Sequence, residues 1–151
     1  MNAEQSQRRH TPYEADFHAW TLEQAALLKA GRWHRLDIEN LVEEIESLGR
    51  AERRELRNRL VVLVGHLLKW QFQPDRRSNS WQATITGQRR EILELLLEQP
   101  SLKSYLDEAF VRSWESGVDL AVKETDLPYS HFPDACPYTF EQALGGEFWP
   151  G

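Results

Sequence analysis

Between Ile38 and Trp70 the apolar residues hold one helical phase across an interior glycine, which leaves little room for any fold but a helical one. Ile38, Leu41, Val42, Ile45 and Leu48 recur on one face, and after Gly49 the spacing resumes at Leu56, Leu60, Leu63, Val64 and Leu67. Leu56 stands eight residues after Leu48, an offset that belongs to the same amphipathic stripe. Two readings follow: one long helix of roughly ten turns, or two helices broken at Gly49. An interior glycine costs only about 1 kcal/mol relative to alanine, so the long helix is favoured. Leu60 to Phe72 leaves almost no polar face, which makes this segment the central, buried one.

Local signals divide the rest of the chain. Residues 1–12 are polar and unpatterned and read as a flexible tail, with a single helical domain over 13–151. Phe17, Trp20, Ala25, Leu27 and Leu28 mark a helix that ends at Gly31. Asp37 is a good N-cap for the long helix, and Glu39 sits in its first turn, where a negative charge suits the helix dipole. Pro74 ends that helix because it lacks the N–H and restricts Gln73. Ser78, Asn79 and Ser80 are alternative caps for a helix reaching about Glu98, and another runs from Leu102 to about Glu124.

The C-terminal stretch from Asp126 contains four Pro and three Gly, with Thr139 and Gln142 spaced as a capping box. Its aromatics, Tyr129, Phe132, Tyr138, Phe140, Phe148 and Trp149, argue for an ordered tail packed on the helices. No stretch alternates with period two between hairpin turns. The expectation is an all-α, single-domain antiparallel bundle of four or five helices.

Composition bounds the function classes. A chain of 151 residues with 28% charged and 40% apolar residues is an ordinary globular domain that needs no metal or disulfide to hold its core. Cys136 stands alone, no signal-type apolar segment opens the chain, and Leu60 to Leu68 is far short of the ~20 residues of a membrane span. A cytoplasmic protein without membrane contact is expected.

Catalytic signatures are missing: no nucleophile elbow, phosphate-binding glycine loop, dinucleotide fingerprint or zinc spacing occurs. His66 and Lys69 lie on or near the buried face. His66 reads as a core-edge histidine, with metal ligation or proton transfer as the functional alternative, and Lys69 as a snorkelling side chain. Glu39, Glu43 and Glu46 share a helix face and are, with His66, weak metal candidates. No His follows a Glu at the spacing of di-iron carboxylate sites, so no cofactor is expected.

The charge pattern says more. From Arg50 to Arg90 ten basic residues face only Glu52, Glu55 and Asp75, a local charge of +7 in a chain of net −6. Arg53, Arg54, Arg57, Arg76, Arg77, Trp81, Arg89 and Arg90 are the binding candidates, since guanidinium groups beside planar rings grip phosphates, bases or acidic partners. Nine acids against three bases between Glu91 and Asp126 offer the alternative of internal pairing.

Several of these segments together carry a family resemblance: YEADFHAW, LDIENLVEEIESLGRAERREL, HLLKWQFQPDRRSNSW, Gln88 to Arg90, PSLKSYL, CPYT and FWP. From about Tyr13 to Trp149 the chain resembles the bacterial family known as Domain of Unknown Function 29. The resemblance implies a small, standalone, all-helical bacterial protein and brings no activity, cofactor or catalytic residue. Three functions stay open. The first is a non-enzymatic protein-interaction module, with a homodimer through the long helix near Gly49. The second is a nucleic-acid-associated regulator using the arginines. The third is a metal- or His-dependent enzyme around His66.

Overall fold

The computed structural model describes residues 12–151, so all but the last residue of the expected tail, 1–12, lie outside the described residues. Five α-helices follow in order: α1 (Phe17–Lys29), α2 (Ile38–Phe72), α3 (Asn79–Glu98), α4 (Leu106–Thr125) and α5 (Phe140–Leu144). Short 3-10 turns join them, and no strand occurs among the described residues. The all-α expectation holds. Among the described residues no helix is long and apolar enough to cross a membrane.

The caps fall where the side chains direct them. Asp16 accepts from the Ala19 amide at the start of α1, Asp37 from Asn40 at the start of α2, and Ser78 from Trp81 at the start of α3. Thr139 and Gln142 form the expected capping box on α5. Gln73 closes α2 ahead of Pro74. Gly49 breaks nothing: α2 runs through it for 35 residues. The helix expected from Leu102 instead opens as a 3-10 turn, Pro100–Tyr105, before α4 begins.

The chain gathers into two compact units divided after Gly49. In the first, Trp20 and Leu27 are buried, and Tyr13, Phe17 and Trp20 form an aromatic trio. Trp20 Nε1 donates to Asp37 Oδ2 at 3.0 Å, and Gln24 Oε1 accepts from the Asp37 amide at 2.8 Å. Asp37 therefore caps α2 and ties it to α1 at once.

The second unit, Arg50–Gly151, holds the main core. Leu56, Leu60, Leu63, Val64, Leu67 and Leu68 of α2 meet Ile85, Ile92, Leu95 and Leu96 of α3 and Ala109, Phe110 and Ala121 of α4. Cross-helix pairs give the directions. Arg59 reaches Glu91 while Lys69 lies against Trp81, so α3 is antiparallel to α2. Arg57 meets Tyr105 and Lys69 meets Glu124, so α4 runs parallel to α2. After α4 the tail returns over these helices and buries Phe132, Tyr138 and Ala143 in the same core, as its aromatic content implies.

Candidate functional site

Along α2, Arg50, Arg53, Arg54 and Arg57 stand at i, i+3, i+4 and i+7, the spacing that stacks side chains on one helix face. Opposite them are Tyr105, at the end of the 3-10 turn, and Glu108 and Arg112 in the first turns of α4. These seven residues line a cleft of about 260 Å³. Arg57 Nη1 donates to Tyr105 Oη at 3.3 Å, and the Arg53 guanidinium lies 5.2 Å from the centre of the Tyr105 ring. Glu108 is held by Arg112 at 2.8 Å. Among the described residues no carboxylate comes within ion-pair distance of Arg53, Arg54 or Arg57.

On its other side Arg54 borders a second groove of about 420 Å³, with Glu55, Asn58, Arg59 and Gln88 in its lining. There the charge is balanced. Arg59 pairs with Glu55 at 3.1 Å and with Glu91 at 3.7 Å, and its Nη1 lies 3.5 Å from Gln88 Oε1. Glu91 thus brings one acid of the Glu91–Asp126 segment to an arginine of the run.

Two other arginines point at backbone. Arg77 donates through Nε to the Trp70 carbonyl at 2.8 Å and through Nη2 to the carbonyls of Pro150 and Gly151, and stacks on the Trp70 ring. Arg89 is buried; it donates to the carbonyl of Ala143 at 2.8 Å and of Phe148 at 2.6 Å, with Trp149 against its guanidinium. Burial pushes its pKa below the usual guanidinium value. Trp149 also packs on Trp70. Arg77 and Arg89 thus fasten the chain's C-terminal residues to α2 and α3.

Trp81 belongs to a third group. Lys69, expected to reach solvent, is only 4% exposed. Its ammonium is ion-paired with Glu124 of α4 and lies 4.5 Å from the centre of the Trp81 ring. A long side chain at the seam of three helices has a shorter path to a partner than to water, which corrects the snorkelling expectation. His66 completes the group: Nδ1 bonds the Val62 carbonyl at 2.9 Å, and Nε2 lies 3.5 Å from Lys69 Nζ and 3.8 Å from Glu124. Burial and the Lys69 charge lower its pKa from the ordinary 6.5, against the opposing pull of the Val62 carbonyl and Glu124.

Arg76 and Arg90 are exposed and outside the arginine cleft: Arg76 on the 3-10 turn after α2, Arg90 beside Arg89, Leu93 and Leu97 in a groove of about 320 Å³. Glu39, Glu43 and Glu46 lie exposed on the first turns of α2. Among the described residues no three His, Cys, Asp or Glu side chains gather as a metal site would require. Cys136 is half-buried, its thiol bonded to the Tyr138 carbonyl and its pKa raised by burial.

Of the sequence candidates, then, Arg53, Arg54 and Arg57 are brought together in one cleft, and Arg76, Arg77, Trp81, Arg89 and Arg90 are placed elsewhere. The cleft also contains Tyr105 and Arg112, which are not among the binding candidates read from the sequence. No curated protein and no solved structure shows significant similarity to the chain. Residues 12–149 match one family, and the chain belongs to it: the family described as Domain of unknown function DUF29.

Proposed function

We propose that this chain is a non-enzymatic protein-interaction module that self-associates through the N-terminal turns of α2. The observation behind this reading is a stripe of aliphatic side chains left uncovered: Ile38 is 57% exposed, Val42 47%, Ile45 66% and Leu48 70%. Their spacing of four, three and three residues places them on one helix face, the pattern by which an amphipathic helix enters an apolar groove or pairs with another helix. Contiguous apolar patches on soluble proteins mark interaction sites far more often than isolated exposed leucines do. Glu39, Glu43 and Glu46 border the stripe and give it the charged rim of an interface.

Sedimentation velocity of the full chain over a hundredfold concentration range tests the proposal. Self-association is expected, and it should be abolished by Ile45→Glu combined with Leu48→Glu. Both positions are exposed, so the substitutions leave the fold intact. A wild-type chain that stays monomeric across the range would overturn the reading.

A further inference from the structure

The structure assigns to the cleft between α2 and α4 a second role: binding a compact polyanion with closely spaced phosphoryl groups, of the pyrophosphate or tripolyphosphate type. The charge arrangement is the first ground. Arg53 and Arg57 are a like-charge pair at i,i+4, a spacing at which two cations destabilise a helix, and Arg54 stands beside them. Elsewhere in the same run four cations are relieved: Arg59 with two glutamates, Lys69 with Glu124, Arg77 and Arg89 with backbone carbonyls. Here, among the described residues, Arg53, Arg54 and Arg57 stand together with no carboxylate within ion-pair distance of them. Local rules broken without an internal compensation are expected at functional sites.

The second ground is geometric. The four α2 arginines lie on one face, Arg112 approaches from α4, and all open into the same cleft of about 260 Å³. Forked guanidiniums bind phosphoryl oxygens two donors at a time. Because Tyr105 Oη already accepts from Arg57, its own O–H is left to donate to a ligand oxygen. Glu108 also lines the cleft, but Arg112 neutralises it and so keeps the cleft positive.

Compactness separates this ligand from a nucleic-acid strand. An extended strand needs a continuous basic track with stacking rings. Arg59, Lys69, Arg77 and Arg89 are consumed internally, Arg76 and Arg90 stand away from the cleft, and Trp81 lies against Lys69. The chain's net charge of −6 further disfavours a long polyanion, most of which would lie beyond the cleft's arginines.

Calorimetric titration of the full chain at low salt, with pyrophosphate, tripolyphosphate and a single-stranded oligonucleotide as separate probes, tests this. Saturable one-to-one binding of pyrophosphate or tripolyphosphate is expected, weakened at least tenfold by Arg53→Gln with Arg57→Gln and unchanged by Arg76→Gln. Arg54→Gln, at the exposed rim, serves as a second variant that cannot disturb the core and should weaken binding several-fold. Saturating tripolyphosphate should also raise the thermal midpoint of the wild-type chain but not of the double variant. The proposal is overturned by the absence of saturable binding, by binding that survives the double variant, or by an oligonucleotide that binds more tightly than tripolyphosphate and loses affinity on Arg76→Gln.

Discussion

Gly65 of α2 and Gly117 of α4 face each other at the crossing of the two parallel helices, at a separation neither helix would keep with a side chain there. A Cβ on Gly65 would stand 2.6 Å from Leu120 Cδ2 and 3.1 Å from the Gly117 carbonyl oxygen; one on Gly117 would stand 2.8 Å from Val64 Cγ1. The close approach brings Lys69 and Glu124, one to two turns further on, into contact. Replacing either glycine with alanine sets a helix-propensity gain of about 1 kcal/mol against an overpacking cost of roughly 1–3 kcal/mol. The backbone carbonyl beneath Gly65 cannot move aside as a leucine methyl can. Gly65→Ala should therefore lower stability by about 1–2 kcal/mol. Gly49→Ala, in open space on the same helix, should raise it by about 0.5–1 kcal/mol. Urea denaturation of the two variants gives the comparison, and a rise in both midpoints would show that the crossing relaxes freely.

Lys69 brings a charge into the seam of α2, α3 and α4, and Glu124 is its only carboxylate within ion-pair distance among the described residues. Removing the acid strands the ammonium, whereas removing the ammonium leaves a carboxylate that is 41% exposed and can hydrate. The two losses are therefore unequal. Glu124→Gln should cost about 1–3 kcal/mol, below the range for a fully buried pair because solvent screens the acid. Lys69→Met keeps the packing on Trp81 and should stay within about 1 kcal/mol of wild type. Equal destabilisation by the two variants, read from their denaturation midpoints, would contradict this asymmetry.

The same group makes the fold sensitive to acid. His66 is held below its ordinary 6.5 chiefly by burial. In Glu124 burial works upward, but the hydrogen bond and charge of Lys69, then His66 and Lys123, outweigh it and hold the carboxyl below its ordinary 4.5. Both groups take up protons more readily in the unfolded chain. Each contribution is thus complete above the unfolded pKa and lost as pH falls through the folded one. Stability should begin to drop below about pH 6.5 with His66 and again below about pH 4.5 with Glu124. His66→Gln should erase the first stage while keeping a hydrogen-bonding side chain. A stability difference between wild type and His66→Gln that does not change between about pH 5 and 8 would exclude His66 as its source.

The helices were legible because their signals are local: apolar spacing through Gly49, Asp37 and Ser78 as caps, Pro74 as a stop. The fate of the basic run was not. Lys69 and Glu124 are 55 residues apart in sequence, and only the parallel course of α2 and α4 brings them together. Arg77 and Arg89 bind backbone carbonyls, which every residue carries and no sequence pattern advertises. Arg53, Arg54 and Arg57 were visible as a cluster, but the cleft depends on Tyr105 and Arg112, which a 3-10 turn and the first turns of α4 position. Charge composition finds the run; chain topology sorts it.

Arg89 offers the sharpest test of that sorting. Its Nε and Nη2 hold the carbonyls of Ala143 and Phe148, its ring-facing side meets Trp149, and Nη1 is buried without a hydrogen-bond partner among the described residues. Such a site exploits the fork of the guanidinium, whose two donors diverge at fixed angles. A lysine carries the same charge but delivers it from one atom, and cannot span both carbonyls. Arg89→Lys should therefore cost about 1–3 kcal/mol. Amide exchange should quicken in residues 143–151 before it does in Leu60 to Leu68, because the clamp holds the tail and not the central helix. Arg76→Lys, on an exposed turn, should change neither quantity. If Arg89→Lys instead speeds exchange uniformly along α2, then Arg89 supports the whole core and the tail has no separate fastening.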